Sequence, residues 1–95
     1  DVVVMAFSEF GRRVPENTSL GTDHGTAGPM FVVGKPVKGG QYGQPVDLAG
    51  RAPDDNLRHT TDFRRVYASM MSGWFGRSDA DQLLRGRFET FPLFA

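Results

Sequence analysis

The chain contains no cysteine. Disulfides and Cys-based metal sites are therefore excluded, and the absence suits cytoplasm and periplasm equally. It has no excess of either charge: eleven basic and eleven acidic residues balance. That argues against a nucleic-acid partner held through a broad basic field. No apolar run approaches the roughly 18 residues of a membrane span, and no signal-peptide pattern is present. Histidine is scarce, with two residues, and tryptophan scarcer, with one.

What the chain does have is glycine, proline and phenylalanine. Twelve Gly and six Pro make up about 19% of the 95 residues, against a usual ~12%. Much of the backbone must be loop. Eight Phe within a 39% hydrophobic composition allow some core. This length permits one small domain that buries a modest share of its surface. The chain opens on "VVVMAF" directly after Asp1, which reads as the interior of a longer protein cut at a strand. The expectation is a loop-rich fragment, residues 1–95 forming a single incomplete α/β domain. Its first partner would be the missing N-terminal part of the same domain.

The Val-rich run at 2–7 predicts a strand buried on both faces, as in a parallel α/β sheet. A polar loop, "SEFGRR", follows it, and 14–29 is turn-rich, with Pro15, Asn17, Gly21, Gly25, Gly28 and Pro29. "MFVV", 30–33, predicts a second short strand closed by Gly34. Next comes "KPVKGGQYGQPVDLAGRAPDD", 35–55. A loop longer than about 12–15 residues inside a compact domain is usually functional or packs on something else.

The clearest periodicity lies in "TTDFRRVYASMMSGWFG". Phe63, Val66, Tyr67, Met70, Met71, Trp74 and Phe75 fall on one stripe of an α-helix. Thr60 or Thr61 is the expected N-cap, Asp62 suits the first turn, and Gly76 is the expected stop. A second short helix is predicted over 79–85, capped by Ser78 with Asp81 three residues on and ended by Gly86. The apolar tail "RFETFPLF" is expected to lie extended over another part of the protein.

Asp23 and His24, in "GTDHGTAGPMFVVG", are the strongest chemical candidates. An imidazole beside a carboxylate, on glycine-flanked backbone free to bend round an ion, makes half a site for zinc or a similar divalent metal. Glu9, past the C-terminal end of the first strand, stands where ligand sites collect in open α/β sheets. The plain alternative is an Asx-turn at Asp23 with a solvated His24. No HxxxH, HExxH or Cys pair completes a site within the chain. The pair Arg12–Arg13 could hold an anionic group over the sheet edge, since guanidinium suits bidentate phosphate contacts; a solvated loop pair is the alternative. His59 stands beside the helix start and reads as a surface residue. Ser8 follows a strand but lacks the GxSxG elbow. "GPMFVVGK" is one residue too long for a phosphate loop, and Pro36 replaces its Ser or Thr.

Taken together, "VVVMAFSEFGRR", "GTDHGTAGPMFVVG" and "TTDFRRVYASMMSGWFG" resemble the C-terminal part of the alkaline phosphatase and sulfatase superfamily. The closest likeness is to the bacterial domain-of-unknown-function family fifteen-oh-one, and it runs from Val2 to about Phe94. The resemblance implies an alkaline-phosphatase-like sheet-and-helix fold. It aligns Glu9 with a metal-binding Asp of the phosphatases, Phe10 with the His after it, and His24 with a later His that binds the other metal. Metal ligands at His24, Asp23 and Glu9, a divalent ion (zinc, calcium or magnesium) and a small anionic ester as substrate follow as expectations. So does an exported or periplasmic setting. Two departures weaken the implied reaction: Phe10 has no lone pair, and Glu9 is one methylene longer than Asp. The nucleophile and remaining ligands would lie upstream of Asp1, so this chain alone would be inert. The competing expectation is a non-catalytic descendant that binds a protein or polysaccharide at the cell surface through the loops at 35–57.

Overall fold

The computed structural model describes residues 1–48 and 56–94. Four short strands precede two helices: β1 (Val3–Ala6), β2 (Gly11–Glu16), β3 (Thr22–Gly25), β4 (Phe31–Gly34), α1 (Phe63–Gly73) and α2 (Ala80–Leu83). The result is a small α/β mixture with two antiparallel two-stranded sheets, β1 with β4 and β2 with β3. The parallel, doubly buried β1 expected from "VVVMAF" is corrected here. Residues of β1 alternate between half-buried and exposed, with Val4 57% exposed. One antiparallel partner covers one edge and leaves a face of the strand open, which produces that alternation. The turn-rich stretch 14–29 holds turns and bends at 18–21 and 26, but it also contains the end of β2 and all of β3. Among the described residues of the long loop, 35–48 form no helix or strand beyond an isolated bridge from Val37 to Phe94. Residues 49–55 of that expected loop lie outside the described residues.

Backbone contacts divide the chain into two compact units. One comprises Asp1–Val3, Val33–Gly43 and Thr61–Ala95; the other comprises Val4–Val32 and Gln44–Thr60.

In the first unit α1 holds the C-terminal tail. Asp62 is its N-cap, rather than Thr60 or Thr61, and accepts from the Arg64 N–H at 2.9 Å. The helix ends at Gly73, and Gly76 then takes a positive φ of 66° as the chain reverses. The expected stripe is only partly buried. Met70 is buried, Phe63 and Phe75 are exposed, and Ala68 and Ser69 are buried in their place. The reason is the tail. Ser69, 2% exposed, donates its hydroxyl to the Arg65 carbonyl at 2.7 Å and accepts the Phe91 N–H at 2.8 Å. One turn on, a β-carbon at Gly73 would come within 2.7 Å of the Phe94 ring. Small residues thus make the track on which the tail lies, while periodicity counts only large apolar ones. Arg64 stacks its guanidinium 4.5 Å from the Phe88 ring centroid, and Arg65 stands 4.1 Å from that of Phe91, within cation–π range. Leu93 is buried, and its carbonyl accepts from the Lys38 N–H at 2.6 Å.

The second helix is shorter than expected, and Asp79 rather than Ser78 stands at its N-cap, without a side-chain cap bond. The Asp79 carboxylate is occupied by Arg77, which donates from Nε at 2.8 Å and Nη2 at 2.5 Å. At the other end Arg85 takes the left-handed conformation, φ 56°. The Gly86 N–H there reaches the Asp81 carbonyl at 2.9 Å, which is a Schellman closure.

Ser69→Ala is expected to destabilise the protein by about 1–3 kcal/mol, because it leaves the Phe91 N–H without its acceptor in a buried place. Urea denaturation measures this, and an unchanged midpoint would show that water replaces the hydroxyl. The bidentate hydrogen bond from Arg77 lowers the Asp79 pKa from the usual carboxylate value. Such a group adds stability that is fully present above the unfolded value of about 4 and is lost as pH falls through the lowered one. The pair is solvent-exposed, so its contribution is small. Asp79→Asn should therefore soften the acid limb of unfolding without changing stability's dependence on pH above about 5. Circular dichroism during acid titration reads it, and superimposable curves would mean the pair contributes nothing.

Candidate functional site

The second unit carries a hairpin in which sequence-adjacent polar residues converge. Its registered pairs are Gly11 with Gly25, Arg12 with His24 and Glu16 with Thr22. Between the last two pairs Arg13, Val14 and Pro15 oppose Asp23 alone, so β2 bulges. Proline, which cannot donate to a ladder, is tolerated at such a bulge. Bulges also re-aim side chains, and they recur beside functional sites. On β3 the expected alternation fails at Asp23 and His24, both of which are exposed.

Two features close the hairpin. At its base, a β-carbon on Gly11 would collide with the Ala27 backbone carbonyl. One on Gly25 would come within 2.8 Å of the Arg12 carbonyl carbon. The Arg12 N–H donates to that same Ala27 carbonyl at 3.1 Å. Here glycine is required by close approach of backbone to backbone, not by turn geometry. At its tip, Asn17 organises the reversal. Its Oδ1 accepts from the Ser19 N–H at 2.9 Å and the Gly21 N–H at 3.0 Å, while Leu20 takes a positive φ of 66°. The Asn17 Nδ2 then donates to Asp23 Oδ1 at 3.2 Å.

Arg12, Arg13, Asn17, Thr22, Asp23 and His24 line one open depression of about 530 Å³. Four expected site residues, Asp23, His24, Arg12 and Arg13, thus border the same space. Glu9 is not among its lining residues; it is exposed on the connection between β1 and β2. Asn17 and Thr22 are additions that sequence reading did not supply. Asn17 was legible as a turn residue, but its link to Asp23 depends on the length of the reversal. Asp23 and His24 stand on a paired strand, not on the freely bending turn expected of glycine-flanked residues.

Phe10 stacks on His24, with ring centroids 4.6 Å apart and planes 15° from parallel. A metal or hydrogen-bond partner meets imidazole in the plane of the ring, at its nitrogens. The stack covers a face and leaves that edge open. Among the described residues no hydrogen bond or ion pair engages the imidazole, and no three His, Cys, Asp or Glu side chains gather as a metal site. Two donors, His24 and Asp23, fall short of the three or four protein ligands that zinc takes. They fit a metal only as part of a larger shell. Ser8 has a structural task, since its Oγ accepts from the Phe10 N–H at 3.2 Å. His59 is exposed and does not line the depression.

The fold and the depression define a small α/β chain with a polar, arginine-bearing hairpin site. Residues 1–84 match the family model described as "Protein of unknown function (DUF1501)", and the chain belongs to that family. No curated protein and no solved structure matches it.

Gly11→Ala is expected to destabilise the protein by more than about 2 kcal/mol, since the colliding atoms are backbone and cannot rotate away. Thermal denaturation tests this. A variant melting with the wild type would mean that the hairpin base can open at little cost.

Proposed function

We propose that this chain is the C-terminal piece of a phosphatase- or sulfatase-like protein with an alkaline-phosphatase-like fold, and that His24 serves a metal-centred ester-hydrolase site there. The observation that carries the reading is the convergence of His24 and Asp23 with Arg12 and Arg13 on one open depression. A divalent ion held by His24, with Asp23 and ligands from outside the hairpin, would polarise a phosphoryl or sulfuryl oxygen. The chain's own residues supply the rest of the argument. Phe10 fixes the plane of the imidazole and leaves its edge free. Asn17 anchors the Asp23 carboxylate. Arg12 and Arg13 offer donors to the anionic part of an ester. Glu9 is not among the lining residues of the depression, and in this reading it would join the shell as a further ligand. An exported setting, which the family resemblance implies, goes with this reading.

Phe10 also favours a second reading. It supplies an apolar ring where the phosphatases carry a ligand, and it spends the face of His24 on packing. A non-catalytic descendant would keep the sheet and bind a protein or polysaccharide through the loops at 35–57, of which 49–55 lie outside the described residues.

The test is metal analysis and ester hydrolysis by the intact protein beside His24→Ala. The proposal expects lower metal content and at least about a tenfold loss of phosphate- or sulfate-ester hydrolysis. Metal content and hydrolysis both unchanged would remove His24 from the site. A wild-type protein that holds no metal and hydrolyses neither ester would favour the binding module.

A further inference from the structure

Among the described residues, the charges in the hairpin depression are not matched by ion pairs. Elsewhere Arg64, Arg65 and Arg77 each reach a carboxylate, of Asp62, Glu89 and Asp79 respectively, while Arg58, Arg85 and Arg87 reach none among the described residues. Arg12 and Arg13 also reach none, although Asp23 borders the same depression. Among the described residues no carboxylate lies within ion-pairing distance of either guanidinium, and the Asp23 carboxylate is engaged by the Asn17 amide instead. Both arginines are nevertheless held in place, each by a neutral acceptor. Arg12 donates from Nη1 to the Thr22 carbonyl at 2.8 Å, and Arg13 donates from Nε to Asn56 Oδ1 at 3.3 Å.

A guanidinium has five N–H donors, so each arginine keeps most of its donors after that tether. Tethering lowers the conformational entropy lost when a ligand is bound. Two guanidiniums that border one depression, with no carboxylate partner among the described residues, favour an anion there. Donors from two forks, with the His24 edge beside them, outnumber what the two oxygens of a carboxylate can accept. A tetrahedral oxyanion, with three or four oxygens, suits them better.

From this we infer that the β2–β3 hairpin is an oxyanion cradle, in which Arg12 and Arg13 bind phosphate or sulfate, free or as the anionic end of an ester, without needing a metal. The ester source rests on the function proposed above. The cradle itself does not, because its donors are present on the hairpin whether or not His24 binds an ion.

The experiment uses the intact protein after chelator treatment to remove metal, titrated calorimetrically with inorganic phosphate, inorganic sulfate, phenyl phosphate and phenyl sulfate. Arg12→Gln/Arg13→Gln should weaken binding of every anion at least about tenfold, and Arg12→Lys/Arg13→Lys should retain part of it, since charge stays while the fork is lost. Affinity should fall as salt rises. Circular dichroism of both variants checks that the hairpin still folds; if the Gln pair does not fold, the Lys pair and competition between anions on the wild type carry the test. Monoester binding at least as tight as that of the inorganic ion supports the ester source. Inorganic binding without monoester binding overturns the ester source and leaves the cradle standing. No anion binding by the metal-free wild type, or equal binding by the Gln pair, overturns the cradle. Loss of metal or hydrolysis in His24→Ala bears on neither result, so the two readings fail separately.

Discussion

The site depends on backbone meeting backbone at the base of the β2–β3 hairpin. Gly11 lies against the Ala27 carbonyl, and its partner Gly25 lies against Arg12. With no β-carbon at either position, the two strands and the segment after them close together. That closure sets the register that pairs Arg12 with His24. It also forces the surplus residues of β2 into a bulge opposite Asp23. Every polar group lining the depression is then carried by this hairpin. Packing of large side chains contributes little here: among the described residues, Ala27 is the one buried apolar residue of this unit.

The other unit is built on a different principle. Its tail is held by a buried hydroxyl, by guanidinium–aromatic stacking and by small residues that make room for Phe91 and Phe94. Arg64, Arg65 and Arg77 of this unit are engaged by aromatic rings or carboxylates. In the hairpin Arg12 and Arg13 are tethered to neutral oxygens, with no carboxylate partner among the described residues. Asn17 donates its amide to the Asp23 carboxylate on the same hairpin. The distinction between structural and available charge lies in the hydrogen-bond partners, not in the count of charges, which balances over the chain.

Much of this was legible in the residues. The two apolar runs did become strands, the helix beginning at Phe63 did form, and the tail does lie along other parts of its unit. The choice of His24, Asp23, Arg12 and Arg13 as candidates picked residues that share one depression. The failures have definite causes. Pro and Gly also serve within strands here: Pro15 sits in a bulge, and Gly11 and Gly25 sit where backbones nearly touch. The helix stripe was counted from large apolar residues, so the small face of Ala68, Ser69 and Gly73 that carries the tail went unseen. Glu9 lies on the connection between β1 and β2, outside the lining of the depression.

The amino-acid order by itself determined the local matters: a loop-rich α/β chain, the place of its main helix, an aromatic tail, and a cluster of arginines, aspartate and histidine without cysteine. It did so because periodicity, capping and backbone freedom act over a few residues. Tertiary structure alone decided that Arg12 faces His24, that Asp23 is held by Asn17, and that Phe10 stacks on the imidazole. Those outcomes depend on strand register and on close approach between segments distant in sequence, and a single residue's slip in register would have reversed the faces on which these side chains stand.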